Sequence, residues 1–195
     1  MTDVTDEIDV TDCTRCPALC DSRSRIVNGV GPTDASLLFV GEAPGRQEDE
    51  TGEPFVGRSG DVLDEALRDR GLARRDVRIT NCVRCRPPDN RDPRAEELAN
   101  CRPYLDHEID AIDPEVIVAL GKVPSEHLLG RSVAVTAEAG SLHDVSIAGT
   151  PRRTLVCVHP AATLYDPGQR ETFTAALDAA VEFVDGGDQS RLGDF

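Results

Sequence analysis

The chain has 195 residues, 39% hydrophobic and 29% charged, with 16 Gly and 13 Pro, which fits one globular domain and excludes collagen, coiled coil and wholesale disorder. A chain of this size buries roughly 70% of its unfolded surface without disulfide staples, so its seven cysteines need another explanation. With 36 acids against 21 bases the net charge is -15; this either repels nucleic acid or marks a protein adapted to molar salt, where screening shrinks to about 3 Å and the charge no longer disfavours a DNA or RNA ligand. The salt-adapted reading is preferred.

Residues 1–12 carry five acids and no base and read as an acidic tail, the opposite of a basic signal-peptide start. No apolar run approaches the roughly 20 residues that span a bilayer, and a cytoplasmic location is expected. Leu37–Val40, Val77–Thr80, Val116–Leu120 and Leu155–Val158 are short, apolar and rich in β-branched residues, as buried strands are. Between them, Val62, Leu63, Ala66 and Leu67 repeat at helical spacing. Asp92-Pro93 supplies an N-cap and first-turn proline for a second helix, and Pro103 predicts a break in it near Cys101. A last helix is predicted from about Gln169 to Val184 on the stripe Phe173, Leu177, Ala180, Val181 and Val184. Residues 185–195 read as a flexible C-terminal tail, leaving 13–184 as a single domain. Alternating strands and helices give an α/β class: a three-layer α/β/α sandwich around a four-stranded, mainly parallel sheet.

Ligands of such sheets bind at the carboxyl ends of strands. The first strand is followed by Gly41-Glu42-Ala43-Pro44-Gly45, the second by Asn81-Cys82-Val83-Arg84-Cys85-Arg86, and the fourth by His159-Pro160-Ala161. Three strand ends therefore direct polar groups toward one crevice.

In a reducing compartment, seven cysteines are metal ligands, redox groups or buried thiols rather than structural disulfides. Cys13-Thr14-Arg15-Cys16 and Cys82-Val83-Arg84-Cys85 are paired CxxC elements, the pattern of a zinc site. The set Cys13, Cys16, Cys85 and Cys101 would instead suit an iron-sulfur cluster. Cys82 follows a strand whose residues alternate faces, so it need not point with Cys85. Spacing leaves the two metal readings open, while Cys157 reads as core and Cys20 as a spare.

Gly41-Glu42-Ala43-Pro44-Gly45-Arg46-Gln47-Glu48-Asp49 runs on through Gly52-Glu53-Pro54-Phe55-Val56-Gly57-Arg58-Ser59-Gly60. Glycine at this density after a strand lets backbone approach a ligand, but the string is neither a Walker A loop nor a GxGxxG fingerprint. It resembles the family four, iron-sulfur uracil-DNA glycosylases, whose motif reads GEAPG, then ED, then G-x-PFVG-x-[AS]-G. The likeness extends through Ile79-Thr80-Asn81, Cys85-Arg86-Pro87-Pro88 with Asn90-Arg91, Cys101-x-Pro103-x-Leu105, Pro114-x-Val116-Ile117 with Leu120-Gly121, and His159-Pro160-Ala161. With the acidic composition, this suggests a halophilic archaeal source.

The resemblance implies an enzyme of base-excision repair that flips uracil out of single- or double-stranded DNA, hydrolyses its N-glycosidic bond and leaves an abasic site. It implies a 4Fe-4S cluster on Cys13, Cys16, Cys85 and Cys101. It makes Gly41, Glu42, Ala43, Glu48, Phe55, Asn81 and His159 the uracil pocket. Phe55 would stack on the base. Asn81 would donate to O4 and accept from N3–H, a pattern that cytosine reverses. His159 would donate to O2 as negative charge grows there. Glu42 is named with Asn81 and His159 as catalytic, and Glu48 as the group that excludes thymine's methyl. Leu164 would wedge into the duplex, and Arg84, Arg86, Arg91 and Arg94 would meet phosphates. A monomer is expected, and a sliding clamp that binds a tail is an untested partner.

Two departures bear on these expectations. Many uracil glycosylases position water with an Asp in the first motif, whereas this chain, like its family, has Ala43 there. The Arg-Gly that the family tends to carry before the last strand is Ala139-Gly140 here, which weakens any role for residues 134–150. The competing classes are a protein that binds or traps uracil-DNA without turnover and a zinc-ribbon interaction protein that uses Cys82. The trapping branch carries GEQPG and a basic insertion before the last cysteine ligand, and this sequence has neither.

Overall fold

The computed structural model describes residues 8–191. In chain order the elements are α1 Pro17–Ser22, β1 Leu37–Gly41, α2 Arg46–Thr51, α3 Arg58–Arg68, β2 Arg78–Asn81, α4 Ala95–Ile112, β3 Val116–Leu120, α5 Lys122–Leu129, α6 Val135–Glu138, β4 Leu142–Ile147, β5 Thr150–Cys157 and α7 Pro167–Arg191. The strands form one sheet of order β2-β1-β3-β5-β4. β2, β1, β3 and β5 are parallel, and β4 runs antiparallel to β5.

The alternation of side chains along a strand divides the core in two. Leu37 and Phe39 of β1 and Val116, Val118 and Leu120 of β3 pack on one face with Leu63 and Leu67 of α3 and Phe173 and Leu177 of α7. Leu38 and Val40, with Ile117 and Ala119, pack on the other face with Leu105 and Ile109 of α4 and Leu128 of α5. Both faces of β1 and β3 are covered, which is why these strands are continuous apolar runs. The result is the three-layer α/β/α fold that the sequence predicts.

The sheet has five strands rather than four. The additional one, β4, pairs with β5 through a hairpin whose turn residues Ala148 and Gly149 both have positive φ, 49° and 87°, as a twisted two-residue turn requires. β4 is an edge strand with only Ile147 fully buried, so it lacks the apolar run that marks a central strand.

Four boundary expectations are corrected. Helix α4 starts at Ala95 with Arg94, not Asp92, at its N-cap and Pro93 outside it, because the Glu97 carboxylate accepts the Arg94 N–H at 2.8 Å. Helix α4 does not break near Cys101: Pro103 lies inside it on the exposed side. The hydrogen bond lost there is at solvent, while buried Leu105, Ile109 and Ile112 anchor the inner face. The acidic N-terminal tail is packed where it is described. Ile8 lies against Ala35 and Ile112, and the Val10 backbone exchanges hydrogen bonds with the Asn28 carboxamide. Residues 1–7 lie outside the described residues. At the other end, α7 continues to Arg191, because no proline interrupts its backbone ladder after Val184; residues 192–195 lie outside the described residues.

Among the described residues, no helix is long and apolar enough to cross a membrane.

Candidate active site

The carboxyl ends of β1, β2 and β5 open on one crevice. A cavity of about 180 Å³ is lined there by Ala43, Gly45, Glu48, Phe55, Ser59, Asn81 and His159. It lies at the kind of strand-order reversal where open α/β sheets bind ligands, since the chain leaves β1 for β2 on one side and returns to β3 on the other.

Asn81 ends β2 directly opposite Gly41 of β1. A side-chain carbon on Gly41 would overlap both the Asn81 carboxamide and the Phe55 ring, so glycine is what lets these two groups approach. Asn81 is buried at 4% exposure. Among the described residues its carboxamide makes no hydrogen bond within the protein, leaving a polar group on the wall of a cavity and free to bind a ligand.

Phe55 adopts φ 55°, a left-handed conformation that costs a non-glycine residue about 1–3 kcal/mol unless its surroundings hold it. They do. Arg74 donates to the Phe55 carbonyl at 3.0 Å and the Pro54 carbonyl at 2.6 Å, and pairs with Asp64 at 3.0 Å. Gly60 leaves room beneath the same carbonyl, which any side chain would strike. The Phe55 ring is thereby aimed at His159, centroid to centroid 6.0 Å with 28° between planes.

His159 follows β5. Its Nδ1 accepts the Ala161 N–H at 3.1 Å, so in the neutral ring the proton sits on Nε2. Burial lowers its pKa from the ordinary 6.5, favouring that neutral form. Gly121, at φ 107°, packs against His159: a side-chain carbon there would stand 3.2 Å from its Cβ and 3.5 Å from the ring carbon Cδ2.

Glu48 lines the cavity, but its carboxylate is already engaged. One oxygen accepts from Gly45 N at 3.0 Å, and the other from Val56 N and Gly57 N at 3.1 Å each. It ties the GEAPG loop to the PFVG loop. Gly41 stands behind the lining. Glu42 is half-buried and absent from the cavity lining; burial, then the neighbouring Asp92 carboxylate, pushes its carboxyl up to about 7. Gly45 and Ser59 line the cavity although the sequence reading assigned them no role. Both lie inside the glycine-rich string, which was the available signal.

The basic residues divide. Arg84 is not at the surface: it is 2% exposed and bonds Glu108 at 2.9 Å and Asn28 at 2.6 Å, so it cannot reach a phosphate. Glu108, fully buried, pairs with Arg78 at 2.8 Å as well. A lone arginine in a basic loop gives no sequence sign that its partner is a carboxylate on a distant helix. Arg91 forks onto Glu97 at 2.6 and 2.8 Å. Arg86 bonds Asn90 at 2.8 Å, and Arg94 is exposed at the start of α4. Leu164 (36% exposed) and Tyr165 (77%) are consecutive, and among the described residues they are the exposed large hydrophobics. Tyr165 lies near the Arg58 guanidinium, which donates to its hydroxyl at 3.3 Å.

The cysteines separate in the same way. Cys82 packs fully buried among Leu38, Val40 and Leu105 and Cys157 in the opposite core cluster; burial pushes both thiols up. Cys13, Cys16, Cys85 and Cys101 come from three segments that are stapled together. Arg23 donates to Cys85 Sγ at 2.9 Å and to the Cys13 carbonyl at 2.7 Å. Asn100, beside Cys101, donates to Cys16 Sγ at 3.5 Å and to the Arg15 carbonyl at 3.2 Å. Among the described residues no three His, Cys, Asp or Glu side chains converge as on a single ion. A cluster of several irons takes its thiolates on different metals, hence farther apart than a single ion does, and four thiols from three segments can supply such a set.

The model of the uracil DNA glycosylase superfamily matches residues 28–182. The chain is 41% identical over 169 residues to a type-4 uracil-DNA glycosylase of Archaeoglobus fulgidus, covering 85% of this chain and 84% of that one. It is 41% identical over 172 residues to one of Pyrobaculum aerophilum, covering 86% and 87%. The similarity to one of Thermotoga maritima is 47% over 133 residues, covering 68% and 69%.

Proposed function

The chain belongs to the uracil DNA glycosylase superfamily, and on that premise we propose how its cavity excises uracil. It is a type-4 uracil-DNA glycosylase, a hydrolase that removes uracil from DNA in base-excision repair. The observation that carries the site assignment is the convergence of a free carboxamide, Asn81, and a half-buried neutral imidazole, His159, on a cavity floored by an aromatic ring.

A uracil flipped from the duplex lies on Phe55. Asn81 donates its amide N–H to O4 and accepts N3–H through its oxygen. Cytosine presents the reverse pattern and would leave buried polar groups unpaired. As the bond from deoxyribose C1′ to N1 breaks, its electron pair passes to the base, and His159 Nε2–H donates to O2, where the charge gathers. Such a preorganised donor contributes about 3–4 kcal/mol. Water adds to the cationic C1′ and loses a proton. Ala43 has no group to orient that water and Glu48 is held by three backbone N–H groups. The reaction therefore rests on stabilising the departing anion, with the half-buried carboxyl of Glu42 assisting from beside the cavity.

Leu164 and Tyr165 fill the gap left by the flipped base, and Arg58, Arg86 and Arg94 meet phosphates. Cys13, Cys16, Cys85 and Cys101 would hold an iron-sulfur cluster, and through it these thiols would tie the N-terminal segment to the loop after β2 and to α4. The acidic surface is an adaptation to salt, and the enzyme acts as a monomer.

The test is direct. Purified protein is incubated with an oligonucleotide carrying one uracil, in dilute and in molar salt, and free uracil and abasic sites are measured. Release of the base with persistence in molar salt supports the reading. Tight binding without release would favour a trapping protein.

A further inference from the structure

We propose that Arg23 is the charge-compensating clamp of the cysteine centre, the residue that decides how firmly an iron-sulfur cluster is held. The inference rests on the cluster reading above. Arg23 lies between α1 and β1, is part-buried, and among the described residues pairs with no carboxylate.

Its guanidinium instead turns on two of the three ligand segments at once, the Cys85 sulfur at 2.9 Å and the Cys13 carbonyl at 2.7 Å. A second donor serves the same group: Asn100 reaches Cys16 Sγ at 3.5 Å. Two of the four thiols thus have an N–H donor from elsewhere in the chain, and only that of Arg23 carries charge.

Four thiolates concentrate negative charge on a chain whose net charge is already -15. A guanidinium is permanently charged, presents a planar fork and makes charge-assisted bonds stronger than neutral ones. It offsets that repulsion and keeps the N-terminal CxxC loop in register with Cys85. Hydrogen bonds to cluster sulfurs also set the electronic character of the metal–sulfur bonds. Lysine would keep the charge without the fork, and glutamine a donor without the charge.

The experiment compares iron-loaded wild-type protein with Arg23→Gln and Arg23→Lys. Iron per chain, the rate of visible bleaching under an iron chelator and the position of the thiolate-to-iron charge-transfer band are measured. Arg23→Gln is expected to bleach at least tenfold faster, with its band moved to longer wavelength because the sulfur loses a donor. Arg23→Lys should bleach at an intermediate rate. An Arg23→Gln protein with wild-type bleaching and band would overturn the clamp while leaving the cluster standing. If Arg23→Gln does not accumulate, wild-type behaviour of Arg23→Lys overturns it equally. Wild-type protein free of iron would remove the cluster and the clamp together.

Discussion

The backbone N–H of Ala161 donates to Nδ1 of His159 at 3.1 Å. This one bond determines which nitrogen of the imidazole faces the cavity with a proton. It also opposes protonation, because a doubly protonated ring would turn an N–H toward another N–H. Burial acts in the same direction, lowering the pKa from 6.5.

The contribution of His159 to the rate of uracil release should therefore be level from pH 6.5 upward, with an acid limb below the ordinary histidine value, as read in the Glu42→Gln background. The stability linkage has the matching sign. A histidine with a depressed folded pKa contributes stability above the unfolded value of 6.5, and this is lost as pH falls toward the folded one. A single-turnover pH profile checks the first statement. An inflection above 6.5 that disappears in His159→Gln would show the imidazole to act as a cation.

Glu42 behaves oppositely. Its carboxyl is raised from 4.5 to about 7 by burial and then by Asp92, so the folded state favours the protonated form and loses stability as pH rises from 4.5 through 7. Glu42→Gln should flatten that part of the curve and be more stable than wild type at pH 8 by about 1 kcal/mol, after discounting for the group's partial exposure. Asp92→Asn should lower the Glu42 pKa. Thermal unfolding across pH measures both, and a wild-type curve already flat between pH 4.5 and 7 would refute the pairing.

Arg74 holds the strained Phe55 backbone through two carbonyls. Arg74→Ala removes charge-assisted bonds worth about 1.5–3 kcal/mol each when made to neutral partners and frees Phe55 to leave its left-handed conformation. Excision should drop about tenfold, chiefly through weaker substrate binding, since the ring's stacking serves the bound base. Steady-state kinetics separate KM from kcat. An unchanged KM with a lower kcat would place the effect elsewhere.

Central strands can be read from the sequence because the chain buries them on both faces: β1 and β3 are uninterrupted apolar runs with partners above and below. The edge strand β4 cannot, since only Ile147 of its six residues is buried and its hairpin turn, Ala148-Gly149, lacks the usual Asn-Gly or Asp-Gly pair. Asn81, Phe55 and His159 are legible because each sits at a strand end or in the glycine-rich string. Arg84 is not, because whether an arginine meets solvent or a buried carboxylate depends on Glu108, 24 residues away on α4. Glu48 shows a middle case. The sequence brings it to the cavity, while its role as a strut appears only once three backbone N–H groups are seen to converge on it.

Leu164 and Tyr165 stand exposed together on the segment that follows His159. A wedge matters only where there is a stack to hold open. Leu164→Ala should slow excision from double-stranded DNA about tenfold, the order of one buried apolar side chain, and leave single-stranded substrate within about twofold. The ratio of the two rates is the measurement, and equal losses on both substrates would refute a wedge.

Excision depends most on Asn81 and His159 acting on the same extruded base, and single-turnover uracil release by Asn81→Ala and His159→Ala tests this most directly. Each variant should remain folded and lose about 10²–10³ in rate, the cost of removing one preorganised donor. Uracil release within threefold of wild type in both variants would contradict it.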